Sequence, residues 1–141
     1  MPNTVYASAA TLKLLEIEAE ANRGVVLQAP AITADAVETL KRKLQLTDAE
    51  VVRFVGVPER TYRRYRASGG ALKPSSADSV LRAARILYEA NRTFADEDKA
   101  LRWLKSDHPI LGAKPIDLMD SDAGSRAVGD ELVRIQLGDL A

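Results

Sequence analysis

The sequence predicts an all-α protein, and three observations carry that expectation. Apolar residues recur at three- and four-residue spacing along most of the 141-residue chain. Strong helix formers fill those stretches, and glycine or proline falls where one helix should stop and the next begin. A single run, "VVLQAP", reads as strand-like, and no second strand run stands out to pair with it.

The elements follow in order. "ASAATLKLLEIEAEANRG" predicts a first helix ending at Gly24, with Leu12, Leu15 and Ala19 as a modest stripe. "TADAVETLKRKLQL" predicts the second. Thr33 stands as its cap, and Val37, Leu40 and Leu44 fall on one face. In "LTDAEVVRFVG", Thr47 and Glu50 form a capping box and Gly56 closes the helix. "VPERTYRRYRASGG" follows at once, with Pro58 at the first helical position and Gly69 and Gly70 at the end. A long helix is expected from about Ser76 to Phe94, lined by Val80, Ala84, Leu87, Tyr88 and Asn91. "DEDKALRWLK" begins with acids, which the helix dipole favours there, and Trp103 reads as core. "SDHPILGAKP" is a loop that carries the single histidine, His108, expected as a surface residue. "PIDLMD" reads as one helical turn. The last helix starts near Asp122, its cap, and runs to about Leu137, with Gly138 after it. There is no internal repeat or low-complexity stretch. The expected organisation is a helical segment over 1–32, a helix-turn-helix region over 33–92 and a second helical domain over 93–141.

Composition excludes several functions. With no cysteine, disulfides, zinc-thiolate sites and a thiol nucleophile are ruled out. No apolar run approaches the roughly 20 residues of a membrane span, and the N-terminus lacks the pattern of a secretory signal. A soluble, cytoplasmic protein is expected. Nothing resembles a nucleophile with a paired base. His108 has no convergent ligands, Asp117 and Asp120 read as solvated turn residues, and "GSRAVGDE" lacks the strand a phosphate loop needs. The expectation is a protein that is not an enzyme and uses no metal or cofactor.

The net charge is zero, yet it is unevenly spread. From Val37 to Arg92 twelve Lys/Arg stand against six Asp/Glu, giving +6, whereas the 36 residues before total −2 and the stretch from Thr93 onward totals −4. A basic middle between acidic ends points to a polyanion-binding segment beside a part with another task. The charge peaks in "RTYRRYR", which holds four arginines in seven residues. Two short helices meet at Gly56 there. Tyr62 and Tyr65 share one face, which leaves Arg60, Arg63 and Arg64 pointing away from the core. This is the arrangement of a helix-turn-helix, whose second helix lies in the major groove of DNA. The planar guanidinium fork binds phosphates or guanine edges, so Arg60, Arg63 and Arg64 are the candidate DNA contacts, with Thr61 beside them and Arg66 at the helix end as a backbone-phosphate contact. A module this small makes few phosphate contacts, and a homodimer on paired half-sites is expected.

The last helix carries two apolar stripes. Val128, Leu132 and Ile135 form one, and Val133, Leu137 and, if the helix continues, Leu140 form the other. One stripe can pack inward and leave the other for a partner; a single broad core face with a frayed end is the alternative.

"LTDAEVVRFVGVPERTYRRYRASGGALKPSSADSVLRAARIL" resembles the Xre-like helix-turn-helix of an antitoxin family. "KALRWL", the proline-containing loop ending in Leu111-Gly112, "PIDLMDSDAGSRAV" and "LVRIQLG" then follow in the order found in the toxin-binding domain of Xre/MbcA/ParS-type antitoxins. The resemblance covers roughly Ala34 to Ala141. It implies a type II toxin–antitoxin system whose partner is a RES-domain toxin that degrades NAD or transfers ADP-ribose. It also implies a C-terminal region that plugs the toxin's active site, carried here by Val133, Gln136, Leu137, Gly138, Asp139 and Leu140. Binding of operator DNA, self-association and a hetero-oligomer with the toxin belong to the same expectation. Two features depart from the family pattern. His108-Pro109 stands where Asn-Pro is usual, and the tail ends "LGDLA" without the aromatic residue common there. The rival reading is a free-standing helix-turn-helix transcriptional regulator with a C-terminal dimerisation domain.

Overall fold

The computed structural model describes residues 6–17, 27–28 and 31–138. It is helical apart from one small ribbon. Strand β1 (Tyr6–Ala7) pairs antiparallel with β2 (Leu27–Gln28), Tyr6 opposite Gln28 and Ala7 opposite Leu27. A partner for the "VVLQAP" run therefore exists, contrary to expectation. At two residues it is too short to leave a period in the sequence.

Helix α1 (Ala9–Leu14) starts where the Ser8 hydroxyl accepts from the Thr11 N–H. It stops far short of Gly24, which lies outside the described residues, as does Ala19. Leu15 ends it and Glu16 takes a left-handed conformation, φ 59°. Contacts to the next helix, α2 (Ala34–Leu44), explain the early stop. Lys43 Nζ donates to the freed Leu14 carbonyl at 2.7 Å, where a helix C-terminus favours a cation. The Glu16 carboxylate takes Arg42 at 2.9 Å and the Thr39 hydroxyl at 3.4 Å. Helix propensity at Leu15 and Glu16 is a weak preference that these contacts override.

Thr33 stands at the N-cap of α2 but makes no side-chain cap bond. Its backbone bridges Ala71 instead, and the Leu72 N–H donates to Ile32 at 2.8 Å. Helix α3 (Asp48–Val55) keeps the capping box, with Thr47 and Glu50 each accepting the other's backbone N–H at 3.2 and 3.0 Å. Helix α4 (Glu59–Ser68) starts one residue later than expected, because Pro58 is its cap rather than its first residue. Val37, Leu40, Leu44, Val51, Phe54, Val55 and Tyr62 are buried, and α2, α3 and α4 pack against one another.

Helix α5 (Pro74–Phe94) contains the point where the chain divides into two compact units, 1–84 and 85–141. In the second unit, Asp96 caps α6 (Glu97–Leu104), and the Lys99 N–H it accepts at 3.0 Å holds its carboxyl below the usual range. Helix α7 (Pro115–Leu118) is the single turn expected, and α8 (Asp122–Gly138) closes the unit. The α7–α8 corner is tight. A Cβ on Gly124 would lie 1.9 Å from the Leu118 carbonyl oxygen, and the buried Ser125 hydroxyl donates to Met119 at 3.1 Å. Ile86, Leu87, Ala90, Ala100, Leu104, Ile116, Met119, Val128 and Leu132 form the buried core of this unit. Trp103, expected in that core, is only half-buried. It sits between Phe94, ring centroids 5.7 Å apart, and His108, 5.6 Å away edge-on. No helix among the described residues is long and apolar enough to cross a membrane.

Candidate functional site

Each unit presents one exposed surface that its own packing does not use. In the first unit the surface is built by a rigid corner. Gly56 turns the chain with φ 72°, ψ 29°, a left-handed conformation that a side chain would strain. Val57 is buried, and the Ser76 hydroxyl donates to the Val55 carbonyl at 2.5 Å, so α5 holds the turn. Both tyrosines then fix α4. Tyr62 is buried, and its hydroxyl donates to Glu38 Oε1 at 2.8 Å. Burial first, and that bond second, push its phenol well above the ordinary range, so it stays a donor. Tyr65 is half-buried, and its oxygen accepts the Lys73 N–H at 3.3 Å.

The opposite side of α4 is a cationic face. Arg60, Arg63 and Arg64 are all exposed and share one side of the helix. Arg60 and Arg63 make no ion pair or hydrogen bond to another described residue, and Arg64 reaches only Thr61 at 3.5 Å. Thr61 is half-buried beside them. Arg66 differs: its Nε lies 3.3 Å from Glu38 Oε1, one turn beyond Tyr62. Unpaired guanidinium groups on a helix held from behind can take phosphates or guanine edges.

In the second unit the surface is apolar. Along α8, Val128 and Leu132 are buried and Ile135 is half-buried, which assigns the first stripe to the core. Val133 and Leu137, four residues apart, are 51% and 61% exposed. Gln136 is exposed, but its amide donates to Thr93 Oγ1 at 2.6 Å and so fastens the end of α8 to α5. Gly138 is the last helical residue, and Asp139 and Leu140 lie outside the described residues.

His108 was expected on the surface and is instead a fastener. Its side chain is 14% exposed. Nδ1 accepts the Ile110 N–H at 3.3 Å, so Nε2 carries the proton and faces Glu131 Oε1, also at 3.3 Å. Glu131 is buried, and Arg134 Nε spans both its oxygens at 3.0 and 2.9 Å. The Arg134 hydrogen bond is the largest of the influences that hold the Glu131 carboxyl below its usual range. The loop closes further through Gly112 N–H to His108 O at 2.9 Å and His108 N–H to Ala113 O at 3.1 Å. It thereby presents Ile110, 67% exposed, at its tip. Sequence reasoning missed this network because Glu131 looks like one more surface acid of an acidic helix. Among the described residues no group of three His, Asp or Glu side chains could hold a metal ion.

The fold and its two surfaces define a class: a helix-turn-helix unit joined through a long helix to a small helical partner-binding domain. Residues 17–88 match the family described as "Antitoxin Xre-like helix-turn-helix domain". Residues 89–138 match "Antitoxin Xre/MbcA/ParS C-terminal toxin-binding domain". The chain belongs to the Xre/MbcA/ParS antitoxin family. It is also 27% identical, over 128 residues, to "Antitoxin Xre" of Yersinia enterocolitica serotype O:8 / biotype 1B (strain NCTC 13174 / 8081), covering 87% of this chain and 86% of that relative. An antitoxin with a helix-turn-helix and a toxin-binding domain is thus established. Which toxin it meets, and how, are separate questions.

Proposed function

We propose that this antitoxin neutralises a RES-domain, NAD-degrading toxin by occluding its active site with the C-terminal region, and that it represses its own operon through α4. The observation that carries the reading is the exposed pair Val133 and Leu137 at the end of α8, inside the segment that matches the toxin-binding domain. Large apolar side chains held on a rigid helix are the anchors protein interfaces use. The toxin contacts are Val133, Gln136, Leu137 and Gly138, continued by Asp139 and Leu140. Gln136 must exchange Thr93 for the toxin or keep Thr93 and lend only its aliphatic stem. The DNA contacts are Arg60, Thr61, Arg63 and Arg64, with Arg66 at the phosphate backbone. The protein acts in the cytoplasm as a homodimer and as a hetero-oligomer with the toxin, without catalysing a reaction itself.

Co-expression tests the partner. The product of the adjacent gene should stop growth and deplete NAD when expressed alone, and should co-purify with the antitoxin. Truncation before Gln136 should weaken neutralisation and leave DNA binding intact. A truncated chain that neutralises fully would remove the tail from the mechanism. A neighbour that leaves NAD untouched would remove the RES toxin.

A further inference from the structure

Glu38 sits on α2, outside the helix-turn-helix pair, yet one of its oxygens meets two residues of α4. Tyr62 Oη donates to Oε1 at 2.8 Å and Arg66 Nε lies 3.3 Å from the same atom. Tyr62 and Arg66 are four residues apart and so stack on one side of α4. Lys41, paired with Asp48 at 2.5 Å, lies within electrostatic reach of both Glu38 and Arg66, and Asp48 within reach of Arg66, so two acids and two bases stand close together. Arg66 approaches Glu38 as an ion pair, closest through Nε. Arg66 has no hydrogen bond or ion pair to any other described residue, and its side chain is half exposed.

We infer that Glu38 is a positioning residue for DNA binding: it anchors α4 through Tyr62 and, by its ion pair, holds the half-exposed Arg66 guanidinium in place to meet a phosphate. This rests on the DNA-binding role proposed above. An arginine already held by an ion pair loses less freedom when it grips a phosphate than one that must be ordered on arrival. The acid therefore assists binding of a polyanion that its charge alone would repel. That opposition of signs makes the inference testable.

The experiment measures affinity of the full-length protein for duplex DNA from upstream of its own coding region, across a salt series. A scrambled duplex serves as the control. Glu38→Ala should weaken binding by roughly tenfold, the effect of one charge-assisted hydrogen bond, although it removes a negative charge. Arg66→Ala should flatten the plot of log affinity against log salt by about 0.9, the signature of one lost phosphate contact. In the Arg66→Ala background, Glu38→Ala should weaken binding far less. Glu38→Gln keeps an oxygen that can accept from both partners and should restore affinity to within about twofold of wild type. It also keeps the test alive if the alanine variant folds poorly. A merely structural role for Glu38 would not move the salt slope or depend on Arg66. The inference is overturned if Glu38→Ala binds as tightly as wild type or more so. Equal weakening with and without Arg66, or failure of Glu38→Gln to rescue, overturns it as well. Absence of salt-dependent binding by the wild type would instead strike down the DNA-binding role itself, and the inference with it.

Discussion

Helices α4 and α8 both lie partly on a core and partly in solvent, but their exposed sides carry opposite chemistry. On α4, the outward residues are Arg60, Arg63 and Arg64, and the helix is fastened from behind by tyrosine hydroxyls on Glu38 and Lys73. On α8, the outward residues include Val133 and Leu137, and the helix is fastened by Glu131 on His108 and by Gln136 on Thr93. In each case polar anchors lock the helix and leave one surface unsatisfied. Unpaired guanidinium groups gain most from a polyanion, and exposed aliphatic side chains gain most from an apolar surface. The contrast explains how a chain of zero net charge can serve two unlike partners: charge is concentrated on α4 and withdrawn from the tip of α8.

The largest expected effect separates the two surfaces by breaking one unit. Gly124→Ala puts a methyl group where the Leu118 carbonyl oxygen already lies, 1.9 Å away, and backbone cannot step aside as a side chain can. Destabilisation by about 3 kcal/mol is expected. Toxin neutralisation should fall with it while DNA affinity persists. Thermal melts of the variant beside operator-binding assays check both halves. Next in size is Leu137→Asp. Being exposed, Leu137 contributes little to folding, so stability should change by less than about 0.5 kcal/mol. Loss of an interface anchor should cost about 2 kcal/mol in toxin affinity, measured by calorimetry on the purified pair. Leu132→Ala, one stripe away and buried, should show the reverse: about 3 kcal/mol lost from folding. Smaller again is Arg63→Ala. It should lower the salt slope of DNA binding by about 0.9 and leave toxin binding unchanged.

Legibility differed between the two surfaces for physical reasons. The corner at Gly56 was readable because a left-handed residue, a capping box and paired tyrosines each leave a local signature. The arginine face follows from helical period alone. The two stripes of α8 were also visible in the period, although only tertiary structure could say which one is buried. What stayed hidden depended on contacts between distant residues. Glu38 and Arg66 are 28 positions apart, His108 and Glu131 are 23 apart, and neither member of either pair carries a local mark of its partner. The early end of α1 belongs to the same group, since Lys43 and Arg42 on the next helix decide it. The pairing of β1 with β2 was missed for another reason: two-residue strands have no period.

The smallest expected effect tests whether charge contributes to the α8 anchor. The hydrogen bond from Arg134 holds the Glu131 carboxyl below its ordinary range. A carboxyl depressed in the folded state stabilises it fully above the unfolded value, and that contribution disappears as pH falls through the folded one. The second unit should therefore lose stability on the acid side, in a window beginning at the ordinary carboxylate range and extending below it. Asp96 contributes in the same direction, so the informative quantity is the difference between wild type and Glu131→Gln. That difference should shrink as the pH is lowered through the window, since protonation makes the wild type resemble the variant. Trp103, the single tryptophan, lies edge-on to His108 and gives a fluorescence signal for the unit. Parallel acid curves for the two proteins would show that Glu131 fastens the loop by shape and hydrogen bonding rather than by charge.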